Sequence, residues 1–70
     1  MMSRELKSIR VKNGLTQEAL AEKLEMSVTA YSKRENGQIE FNVTEIKKLK
    51  DALVLNDDDV IRIFFGSEVA

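Results

Sequence analysis

LTQEALAEKLEMSVTAYSKRENG, residues 15–37, is the stretch on which the fold turns. Thr16 stands where a helix N-cap belongs, Glu18 lies near the positive end of the helix dipole that follows, and Leu20, Ala21 and Leu24 recur at helical spacing. A short helix over 17–24 follows. Met26 and Ser27 interrupt it. Ser27 is the cap of the next helix, while Met26 and Tyr31 occupy the N′ and N4 positions of a hydrophobic staple that fixes how the chain enters. Asn36-Gly37 closes that helix, since both residues tolerate a left-handed backbone.

The same signals extend outward on both sides. Ser3 caps a first helix with Leu6, Ile9 and Arg10 at inward positions, ended by Asn13-Gly14. After the loop QIEF, Asn42 and Glu45 form a second cap signature, with Phe41 placed to staple Ile46. That helix, with Ile46, Leu49 and Leu53 inward and Lys47, Lys48 and Lys50 on its wet side, runs to about Leu53. Asn56 or Asp57 caps a last helix whose first turn holds Asp57, Asp58 and Asp59. VIRIFF, residues 60–65, is more apolar than one inward stripe requires, so it either finishes the monomer core or meets a second chain.

Seventy residues make a single domain, 1–70, and a chain of this size buries only about 60 % of its unfolded surface. Proline is absent, glycine and aromatics are scarce, and Glu, Lys, Leu and Ala are common, which predicts an all-α fold. Without Cys or His there is no disulfide, and nothing suggests a metal or cofactor. NDDD, residues 56–59, lacks the spacing, central Gly and distant Glu of a calcium loop and reads as a helix cap. An enzyme has little behind it, with no nucleophile–base pair and no Gly-rich phosphate loop. No apolar run reaches the length of a membrane span and the first residues lack the apolar core of a signal peptide, so a soluble, cytoplasmic protein is expected. Charge is uneven: residues 1–37 carry seven Lys/Arg against five Asp/Glu, and residues 38–70 carry four against seven.

With LTQ at its start, small Ala21 at the fifth position of its first helix and ENG at its close, the 15–37 unit resembles the helix-turn-helix of the Cro and phage-repressor (XRE-like) DNA-binding family. The likeness covers roughly residues 3–65 and implies a five-helix, lambda-repressor-like domain whose third helix enters the major groove. Ala21 is small because that helix crosses the second one closely. The resemblance implies base contacts from Val28, Thr29, Ser32 and Lys33. Val28 and the Thr29 methyl suit a thymine methyl, and Lys33 suits the guanine O6 and N7 acceptors. A solvated helix face is the plain alternative for these four. Thr16, Gln17 and Asn36 are the implied phosphate contacts, with Lys12, Gln38 and Arg34 as weaker candidates. Arg10 and Glu35, both on inward positions, are expected to form a structural ion pair. Two residues depart from the family pattern: Glu25 where Gly is usual in the tight connection, and Arg34 where the family is apolar.

The function so implied is a small sequence-specific regulator of double-stranded DNA, of the repressor type found in bacteria, phages and mobile elements. It is expected to act as a homodimer on a palindromic operator and to need no small-molecule ligand. Ile61, Phe64, Phe65 and Val69 form a candidate dimer surface. The competing reading is a protein-interaction module on the same fold, of antirepressor, antitoxin or polymerase-binding type, which the slight overall acidity favours.

Overall fold

Caps decide where the helices begin. In the computed structural model, which describes residues 3–64 and the side chains of residues 5–64, five helices follow one another: α1 (Ser3–Lys12), α2 (Gln17–Lys23), α3 (Val28–Glu35), α4 (Val43–Ala52) and α5 (Asp57–Phe64). The Thr16, Ser27 and Asn42 side chains accept from the amides of Ala19, Ala30 and Glu45, each satisfying one of the orphan donors of a first turn. Asn42 and Glu45 complete a reciprocal box, and Asn56 and Asp59 build a second one at the head of α5. Asn56 is therefore the cap of α5, and Asp57 its first residue. Ser3 is the first residue of α1 rather than its cap, so the helix begins one position earlier than the sequence predicts.

The helix ends share one device. After α1, α2, α3 and α4 the chain closes with the paired bonds of a Schellman motif, as in Met26 N to Ala21 O and Glu25 N to Glu22 O after α2. The position that must turn left-handed is Gly14 after α1 and Gly37 after α3, as Asn13-Gly14 and Asn36-Gly37 foretell. After α2 it is Glu25, at φ 59°, so the departure from Gly is accepted without rerouting the turn. After α4 it is Val54, at φ 53°, a β-branched residue in a conformation such residues rarely adopt. Nothing in the sequence marks Val54 for this role.

These turns fold the helices around one core. Leu6 of α1, Leu20 and Ala21 of α2, Tyr31 of α3, Leu49 of α4 and Ile63 of α5 are all buried. Leu24, Leu53 and Leu55 fill the gaps at the helix ends. Ala21 is 2 % exposed, at the closely packed pair α2 and α3, which accounts for its small side chain. Met26 packs, partly buried, against the core that contains Tyr31. Phe41 bridges the last layer, tilted against Tyr31 at 6.2 Å and edge-on to Phe64 at 5.7 Å. Ile9 and Ile46 are only half-buried.

The apolar surplus of VIRIFF is mostly absorbed here. Ile63 is fully buried and Val60 and Phe64 pack on the core, whereas Ile61 remains 49 % exposed. Phe65 and Val69, the other members of the candidate dimer surface, lie outside the described residues. Lys48 and Lys50 of α4 are half-exposed and bond Glu25 and Asp57, while Lys47 faces solvent. No helix among the described residues is long and apolar enough to cross a membrane.

Candidate nucleic-acid interface

The third helix presents two chemically distinct faces. Tyr31 and Glu35, four residues apart, are buried, whereas Val28, Thr29 and Lys33 are exposed and Ser32 is half-exposed. Val28 is 38 % exposed at the head of the helix, just after the Ser27 cap. Positions 28, 29, 32 and 33 thus form one outward strip of small or hydroxyl-bearing side chains ending in a cation, and Lys33 has no carboxylate partner among the described residues.

What holds this strip outward is a buried network on the opposite side of the helix. Arg10 donates through Nε to Glu35 Oε2 at 2.8 Å and through Nη2 to Oε1 at 3.3 Å, the forked pairing expected of these two residues. The Tyr31 hydroxyl donates to Oε2 and the Gln17 amide to Oε1, both at 2.7 Å. Arg10 Nη1 donates to the Leu15 carbonyl, so the network joins α1, the α1–α2 turn, α2 and α3. Among the described residues no buried side-chain nitrogen or oxygen lacks a partner.

These contacts fix the protonation states. Burial alone pushes the Glu35 carboxyl up, but the bonds from Arg10, Tyr31 and Gln17 together outweigh it and hold the group below its ordinary value. The same bond to Glu35 raises Arg10. Burial, then the neighbouring carboxylate, drives the Tyr31 hydroxyl far above its usual range, so it stays a donor.

The remaining sequence-predicted contacts separate into groups. An open groove of about 650 Å³ brings Thr16 and Gln17 together with Val28 and Asn36, at the two ends of α3. Thr16 is exposed and accepts from Ala19 while its hydroxyl hydrogen stays available. Asn36 is exposed, with one long contact to Ser32 at 3.5 Å. Lys12 and Gln38 are exposed but do not border the groove. Arg34, the second departure from the family pattern, bonds Glu45 at 3.1 Å and the Ala30 carbonyl at 2.9 Å, so it fastens α3 to the capping box of α4. Glu45 serves both the α4 cap and Arg34 through the same oxygen, a link that depends on where the loop after α3 brings the start of α4 and leaves no trace in residue spacing.

Sequence reasoning also misses Lys7, an exposed residue of α1 that borders the groove beside Gln17 and Asn36. Its only sequence signal is its place one turn before Arg10, the inward residue whose partner turns out to be Glu35.

The helix-turn-helix family matches this chain over residues 6–53. The match runs from within α1 to the end of α4, and the protein belongs to that family, in its Cro-type, XRE-like branch of DNA-binding regulators with an all-α, lambda-repressor-like fold. No curated protein and no solved structure matches the chain.

Proposed function

We propose that this protein is a sequence-specific regulator that lays α3 in the major groove of operator DNA. The observation that carries the reading is the division of α3, whose buried side is pinned by four donors to Glu35 while Val28, Thr29, Ser32 and Lys33 stand outward. In this role Lys33 donates to guanine acceptors, Val28 and Thr29 pack on a thymine methyl, and the hydroxyls of Thr29 and Ser32 bond base edges. Thr16, Gln17 and Asn36 hold the phosphate backbone at the flank and set the register. Lys12, Gln38 and Arg34 stand further from this centre and contribute less.

One α3 reads few base pairs, so two copies on a palindrome with centres about 34 Å apart supply the specificity. Ile61, left exposed on α5, supports a pairing surface on that helix, with Phe64, Phe65 and Val69 as the other candidates from the sequence. Occupancy of the operator then blocks polymerase, the action of a small repressor of the phage or mobile-element kind. Selection from random duplexes tests the reading: an enriched, two-fold symmetric site supports it, and the absence of any enriched site overturns it. The second reading, docking of another protein, draws on exposed Ile39 and Val43 beyond the end of α3, and it gains if selection returns nothing while the fold is intact.

A further inference from the structure

Five cations of the described side chains, Arg10, Arg34, Lys48, Lys50 and Arg62, are engaged by carboxylates. Lys7, Lys12, Lys23, Lys33 and Lys47 have no such partner among the described residues. Of these five, Lys7 alone borders the groove that Gln17 and Asn36 share. The Gln17 amide has two N–H groups; one goes to Glu35 at 2.7 Å, which fixes the side chain's orientation and leaves the second for another acceptor. Glu35 does not compete for a cation there, because Arg10, Tyr31 and Gln17 fill its acceptor sites and Arg10 matches its charge. Asn36 carries a further amide held only by its long contact to Ser32.

We propose that this groove seats one phosphate of the DNA backbone, with Lys7 supplying the charge and the Gln17 and Asn36 amides supplying directional donors. The inference rests on the DNA reading above and adds a residue from α1 to it, so that the helix anchored by Arg10 to the back of α3 also reaches the DNA in front. Exposed Glu18 borders the same groove without a cationic partner among the described residues and opposes the anion. Two neighbouring positions therefore carry opposite signs: loss of Lys7 weakens binding and neutralisation of Glu18 strengthens it.

The test uses the full chain and a duplex carrying the site recovered by selection, with single phosphates replaced by neutral methylphosphonates. Lys7→Ala is expected to weaken binding about eightfold at 0.1 M salt and to make the salt slope shallower by about 0.9, equally for matched and mismatched duplexes. Lys47→Ala, which removes an exposed cation of α4 outside the groove, is the control and is expected to change neither. At one phosphate per half-site, methylphosphonate weakens the wild type more than it weakens Lys7→Ala, which has only the Gln17 and Asn36 bonds to that phosphate left to lose. Glu18→Gln is expected to tighten binding. The inference is overturned if Lys7→Ala behaves as Lys47→Ala does, or if each neutralised phosphate weakens wild type and Lys7→Ala by the same factor. A wild type with no salt-dependent DNA binding overturns the functional reading itself, an outcome distinct from a silent Lys7.

Discussion

Replacing Arg10 by Met keeps an apolar stem inside the domain and removes the guanidinium from a pair in which Arg10 is 7 % and Glu35 2 % exposed. The Glu35 carboxylate is then left with Tyr31 and Gln17 as donors. Breaking one side of a buried pair costs about 3–5 kcal/mol, and the two surviving bonds favour the lower end, about 3 kcal/mol. A 70-residue domain at roughly 0.05–0.15 kcal/mol per residue has about 4–10 kcal/mol in total, so the variant stays folded at the upper end and is marginal at the lower. The expected fall in Tm is roughly 12–24 °C. Glu35→Leu, which strands Arg10 and the Tyr31 hydroxyl, is expected to cost as much. The double variant Arg10→Met with Glu35→Leu removes both charges and costs less than the sum by about 1–3 kcal/mol.

The pH dependence has a definite sign. Because the folded state holds the Glu35 carboxyl below its ordinary value, its contribution is present above the ordinary carboxylate range and is lost as pH falls through the folded value. Without Arg10 the carboxyl rises and takes up a proton earlier, so the deficit of Arg10→Met narrows on acidification. Urea titrations followed by far-ultraviolet circular dichroism, at neutral pH and within the carboxylate range, measure both effects. Single variants within about 0.5 kcal/mol of wild type, strictly additive losses, or a deficit that widens in acid would refute the reasoning.

Val54, at φ 53° and 86 % exposed, gains nothing from packing to offset its left-handed backbone. Val54→Gly is expected to stabilise the domain by about 0.5–1 kcal/mol, the backbone relief exceeding the entropy of glycine, and to raise Tm by a few degrees in a thermal melt. Ala21→Leu overfills the α2–α3 crossing and is expected to cost about 1–3 kcal/mol in urea titration, with DNA affinity falling as the helices separate.

Local chemistry was legible before tertiary structure. Thr16, Ser27, Asn42 and Asn56 announce helix starts because a cap needs a short polar side chain bonded within three residues of itself. Gly14 and Gly37 announce ends for the same local reason. Glu25 was placed in its left-handed position by the family resemblance, whereas Val54 had neither signal, and Leu55 is buried only because that turn directs it inward. The pairing of Arg10 with Glu35 was likewise implied by resemblance. Its extension to Gln17 and Tyr31 depends on how α1, α2 and α3 meet. Arg34 illustrates the limit most clearly: residue type allowed a solvent or phosphate role, and only the position of Glu45 on a different helix assigns it to the α3–α4 junction.

The central claim is that α3 reads bases, and the direct measurement is the affinity of Thr29→Ala and Lys33→Ala for the selected duplex and for a scrambled duplex of equal length at the same salt concentration. The account predicts a loss of about 1–3 kcal/mol for each variant on the selected site. On scrambled DNA, Thr29→Ala should bind as the wild type does and Lys33→Ala should lose only the small electrostatic part. Equal losses on both duplexes for both variants, or no loss on either, would contradict it.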